Sequence, residues 1–212
     1  MSKSFGARLI VASSILAALE LAAQPAPGRN AASQRGTAVQ IPNVFRTDYY
    51  QVRGTNAWAL LASIRSHQPS TNHAATACRI HWYYEYQRKP DECVLRSLKI
   101  RVVVQFTLPQ WIDSQRADKA LQAEWNRYVG ALRLHESGHA GLGIAAAKEM
   151  AHLVNSRDWR APDAKELKAR IDEVCEKTVQ GFRAQEVAYD EQTDHGRTQG
   201  ARLKTPPDDQ PD

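Results

Sequence analysis

The sequence predicts an α+β domain, a small antiparallel β-sheet region followed by a helical half. Two observations carry this. Up to Trp111 the apolar residues come in short, aromatic or β-branched runs separated by turn chemistry. Beyond Pro109–Trp111 their period lengthens from two to about 3.6 and stays there. The chain has 212 residues, 42% of them hydrophobic and 24% charged, so it can bury a core and is not a disordered segment.

Taken in order, residues 39–51 alternate and end at Arg53-Gly54, which reads as a strand closed by a turn. Thr55 or Asn56 can cap a helix carrying Trp58, Leu60, Leu61 and Ile64, which stops before Pro69. Cys78–Gln87 and Val94–Leu108 read as strands. Arg88-Lys89-Pro90-Asp91 between them supplies a turn, so a hairpin is expected. Leu121, Trp125, Tyr128, Leu132, His135, His139, Leu142, Ala146, Met150 and Leu153 draw one stripe along a helix from about Ala117 to Asn155. Pro162-Asp163 can start a last helix bearing Leu167, Ile171, Val174, Val179 and Phe182, ending near Ala188. Residues 38–200 form the expected single domain. The Pro- and Asp-rich residues 201–212 are expected to be a disordered tail.

Residues 1–30 are expected to lie outside the fold. Lys3 and Arg8 precede the apolar run Leu9–Ala23, and small, turn-rich residues follow, the pattern of a secretory signal. The run is shorter than the roughly 20 apolar residues of a membrane span. A secreted or periplasmic protein with no stable membrane span after signal removal is therefore expected. Lys plus Arg number 28 against 23 Asp plus Glu, a net charge of +5, but the charges are scattered and no nucleic-acid partner is expected. Three cysteines, Cys78, Cys93 and Cys175, allow at most one disulfide, whose pairing stays open, and none has the CxxC spacing of a zinc ribbon.

The chemistry lies in His135-Glu136-Ser137-Gly138-His139. Histidines four apart on a helix share a face, close enough for both imidazoles to reach one ion. Zinc takes neutral imidazole well and lowers the pKa of a water it holds to roughly 7. Glu136, about 100° round the helix from His135, can accept that water's proton and pass it to a leaving amine. Gly138, Gly141 and Gly143 crowd the same helix at about 1 kcal/mol each relative to Ala, which argues for close approach by another element. A third ligand is needed. His152 lies on the wrong side, and His67, His73 and His81 read as surface or packing residues. Glu166, Glu173 and Glu176 of the last helix remain open, as do Asp190 and His195 beside Gly196, where a loop could fold back over the HExxH helix.

Three stretches together resemble the bacterial domain-of-unknown-function 922 family, described as secreted zinc-dependent proteases. They are Thr107–Trp111, then Trp125 with Leu132–His139, and finally Ala188-Tyr189-Asp190, Thr193 and His195-Gly196. The resemblance spans about Val44 to Ala201. It implies a zincin-like catalytic half, one Zn2+ ion and a protein or peptide substrate. It makes His195 the third ligand beside His135 and His139, with Asp190 as substitute or orienting partner. Tyr189 becomes a candidate hydrogen-bond donor to an oxyanion. The alternative is a catalytically silent zinc-containing binding domain of the cell envelope.

Overall fold

Each helix starts where a short polar side chain satisfies its free backbone amides. Asn56 accepts from the Ala59 amide at 2.8 Å, Asp118 from Leu121 at 2.7 Å and Asp163 from Glu166 at 2.8 Å. They open α1 (Ala57–His67), α2 (Lys119–Asn155) and α3 (Ala164–Thr193). The strands are β1 (Ala38–Gln40), β2 (Asn43–Val52), β3 (Ala75–Arg88), β4 (Cys93–Trp111) and the two-residue β5 (Arg160–Ala161). The computed structural model describes residues 38–41, 43–68 and 72–205. The signal segment expected at 1–30 lies outside the described residues.

One mixed sheet is built on the long β4. β3 pairs with it antiparallel through the expected hairpin, with a bulge at Glu85/Tyr86. β1 and β2, by contrast, run parallel to β4, with Ala38 opposite Ser97 and Asn43 opposite Val102. The expectation of an antiparallel sheet is corrected here. A parallel pair requires a long crossover, and α1 with β3 supplies it. β5 caps the start of β4, Cys93 facing Ala161.

Alternation along β4 buries Leu98, Ile100, Val102 and Val104 on one face and leaves Lys99 and Arg101 exposed on the other. The buried face packs against α2 and α3 with Ala140, Ala147, Met150, Val154, Leu167, Ile171 and Cys175. Trp82 of β3 donates its indole N–H to Asp172 of α3 at 2.8 Å, fixing sheet against helix. A second core lies at the other end of α2, where Leu121, Trp125, Tyr128 and Leu132 meet Val52, Leu60, Ile64, Leu108 and Trp111.

Two further expectations change. The stripe on α2 does not continue through Leu142 and Leu153, which are only partly buried. Past His139 the expected Ala146 and Met150 are buried, joined by Ala140, Gly143, Ala147, Ala151 and Val154, because this half is covered by both sheet and α3. Nor does the fold end at Gly200. Ala201 and Leu203 are buried in the second core, and Arg127 donates to the carbonyls of Gly200 at 2.8 Å and Arg202 at 2.6 Å. Only residues 206–212 of the expected tail lie outside the described residues. The three cysteines are free thiols. Cys78 faces Val104, and the eleven positions from Cys93 to Val104 span about 36 Å of strand. That distance rules out a Cys78–Cys93 bridge.

Candidate metal centre

The HExxH segment lies at the middle of α2, between the two cores, and His135, Glu136 and His139 are all buried. α3 crosses alongside and runs five residues beyond Ala188, so Asp190 is still helical and points at the histidines. His135 Nε2 and His139 Nε2 each lie 3.1 Å from Asp190 Oδ1 and 3.3 Å from one another. Four ligands arranged tetrahedrally about an ion at about 2.0–2.1 Å stand about 3.3 Å apart, so three corners of such a site are present. Among the described residues these three form the group whose ligand atoms could hold a metal ion.

Their surroundings fix which atoms carry protons. His135 Nδ1 lies 3.1 Å from Gln199 Oε1, an acceptor, so Nδ1 carries the hydrogen and Nε2 presents a lone pair. His139 Nδ1 faces the Glu186 carboxylate at 3.6 Å, which favours the same tautomer. Two imidazole lone pairs and a carboxylate oxygen then converge on one point. Without a cation that arrangement is repulsive. Burial alone would lower the pKa of His139, but Glu186, Asp190 and Glu136 outweigh it and the net shift is upward.

Glu136 sits beside this triangle. Its Oε2 accepts a 2.7 Å hydrogen bond from Thr76 of β3, and the same hydroxyl also reaches the Glu136 carbonyl at 3.2 Å. Desolvation raises the Glu136 pKa, with the Thr76 hydrogen bond and the two histidines opposing it. A cleft of about 380 Å³ opens here, lined by Ala75, Thr76, His139, Arg183, Glu186 and Asp190 among others. A smaller one of about 110 Å³, with His73, Leu132, His195 and Arg197, shares His135 and Glu136 with it.

His195 stands outside the ligand triangle. The backbone leaves α3 through left-handed conformations at Asp194 and His195 (φ 46° and 51°), which leaves the His195 ring among the residues of the smaller cleft. Its side chain is 55% exposed, with Nδ1 3.7 Å from Asp190 Oδ1. Asp190, expected as the substitute for His195, is still on the helix and completes the triangle. Tyr189 is not turned to the cleft. Its ring stacks on His135 with centroids 5.1 Å apart and planes 10° apart, and its hydroxyl donates to the His135 carbonyl at 3.3 Å. Gln199 Nε2 donates to that hydroxyl at 3.1 Å, so Tyr189 and Gln199 together hold the His135 ring. Glu166 and Glu173 form surface pairs with Arg170 and Lys177, and Glu176 is exposed.

Two of the three helix glycines are explained by close approach. A Cβ on Gly138 would lie 2.2 Å from the Tyr189 hydroxyl, and one on Gly143 would lie 2.1 Å from Cys78 Sγ. Gly141 meets nothing within 4 Å. The loop does fold back over α2: at Gly196, with φ 82°, a Cβ would lie 2.9 Å from the His135 ring. Sequence reasoning missed Thr76, Glu186 and Gln199. The only available signal was Glu186 at i−4 from Asp190, on the same helix face.

The fold and site thus define an α+β domain with a candidate His/His/Asp metal centre on a helix pair. The family model for a bacterial protein of unknown function (DUF922) matches residues 47–196, and the chain belongs to that family. No curated protein and no solved structure matches it.

Proposed function

We propose that this chain is a zinc-dependent peptidase of zincin-like type, acting outside the cytoplasm. The observation that carries the reading is the convergence of three lone-pair donors beside a buried, hydrogen-bonded Glu136 at the floor of an open cleft. His135, His139 and Asp190 would hold the ion. When bound, zinc polarises a carbonyl and lowers the pKa of a water toward roughly 7. Glu136 accepts a proton from the attacking water on its carboxylate, and its desolvation makes it the stronger base. It then delivers the proton to the departing amine nitrogen. Thr76 keeps the carboxylate in place, Glu186 and Gln199 orient the two imidazoles, and the Tyr189 ring braces His135. A silent metal-binding domain would have no use for a buried Glu136 facing the cleft. Export rests on the leader read from residues 1–30.

The test is zinc content by elemental analysis with cleavage of unfolded casein, for wild type and Glu136→Gln side by side. Both should carry stoichiometric zinc, and the variant should lose about 10²–10⁴ in turnover. A wild type without zinc, or a variant that still cleaves at the wild-type rate, refutes the reading.

A further inference from the structure

The larger cleft has one feature that neither metal binding nor proton transfer uses. Arg183 is the single strong cation among its lining residues. It sits on α3 three and seven residues before Glu186 and Asp190, on the same helix face. Both of those acids are committed, Glu186 to His139 and Asp190 to the ligand triangle. Among the described residues Arg183 has neither an ion pair nor a side-chain hydrogen bond. The smaller cleft differs. Its cation, Arg197, already faces Asp194 at 3.5 Å. Of the arginines lining these two clefts, Arg183 is therefore the one without an acidic partner among the described residues.

A guanidinium in a cleft matches a carboxylate with two parallel N–H···O bonds, a geometry and charge that an amide or hydroxyl cannot reproduce. Val187, also lining the cleft, is 59% exposed beside Arg183 and gives an apolar surface for a short methylene stem. Along the helix Arg183 is about 10 Å from Asp190, the length of about three extended residues.

We propose that Arg183 is a specificity-determining residue that selects peptides bearing a carboxylate within about three residues of the scissile bond, on the α3 side of the cleft. The inference rests on the peptidase reading for its setting. The carboxylate has two possible sources, an Asp or Glu side chain or the free C-terminus of the peptide.

The test uses the full chain loaded with zinc and matched peptides: one with Glu placed at each of three positions on either side of the cleaved bond, its Gln isostere, and each with a free or amidated C-terminus. Cleavage is read as kcat/KM, and binding to the non-cleaving Glu136→Gln protein by calorimetry. The wild type should prefer a carboxylate over its amide counterpart by about tenfold or more at one position. Arg183→Gln should bring that ratio to near one, Arg183→Lys should keep part of it, and Lys177→Gln on the exposed face should leave it at the wild-type value. Preference for Glu assigns the side chain as source, and preference for the free end assigns the terminus. The inference fails if the wild type does not discriminate, if Arg183→Gln keeps the ratio, or if no peptide is either bound or cleaved. Selective binding of carboxylate peptides without hydrolysis would sustain it and overturn the peptidase reading instead.

Discussion

The two halves of α2 face different problems. Its first half buries large side chains, Leu121, Trp125, Tyr128 and Leu132, in an aromatic core where Trp125 lies 5.5 Å from Trp111 and 5.6 Å from Tyr128, centroid to centroid. Its second half buries small ones, Ala140, Gly143, Ala147 and Ala151, along with Met150 and Val154. One half needs bulk to fill space under α1 and β2. The other must let β3, β4 and α3 approach closely, so that Cys78 Sγ touches the Gly143 backbone. His135, Glu136 and His139 stand at the seam. Buried polar groups are tolerated there because the cores on either side hold the helix, and the seam can give its side chains to one another, to Thr76 and to α3.

The sharpest way to test that seam is to remove its candidate ligands one at a time. Asp190→Ala should lose zinc by elemental analysis, a drop in affinity of well over the 10–100-fold typical of an orienting partner. His195→Ala should retain it. Loss of zinc only in the His195 variant would reverse the assignment made from the geometry.

Next in size, Trp125→Ala should cost about 3–5 kcal/mol and Met150→Ala about 2–5 kcal/mol. Thermal unfolding followed by far-ultraviolet dichroism and by tryptophan fluorescence should show coincident transitions in both variants, because α2 runs unbroken through the two cores. Separate transitions would mean that the cores are independent.

Glycine substitutions then probe the contrast in packing. Gly143→Ala should destabilise by about 1–3 kcal/mol because its methyl group drives into Cys78. Gly141→Ala, exposed and meeting nothing, should stabilise by up to about 1 kcal/mol. Equal Tm shifts of the same sign would refute the close-approach account.

The smallest effect is in pH. Burial pushes the Cys78 thiol up to about 11, with Glu186 adding to it, and the Cys175 thiol up to about 12. Below the ordinary value of 9.0 both states keep the thiols neutral and the stability from burial is complete. As pH rises from there toward the folded values, the unfolded chain ionises first, so Tm should fall between about pH 9 and 11. Cys78→Ala should flatten that decline, and at pH 8 the native protein should resist alkylation at Cys78 and Cys175.

Much of this was legible in the linear chain because it is local. Period, caps and turn residues placed α1, the β3–β4 hairpin and α2 to within a few residues, since each depends on neighbours three or four positions away. The His135–Glu136–His139 spacing marked the candidate metal-binding face of α2 for the same reason. Three things waited for the tertiary structure. The parallel pairing of β2 with β4 joins strands forty residues apart, and nothing in either strand specifies the direction. The burial of Ala201 and Leu203 depends on Arg127 and the aromatic core, which lie far away in sequence. The third corner of the candidate triangle is formed by Asp190 because α3 continues to Thr193 and turns only at Asp194. Asp190 thereby meets the two histidines while His195 stays more than half exposed, and a helix end decided by such contacts is not written in the spacing of its side chains.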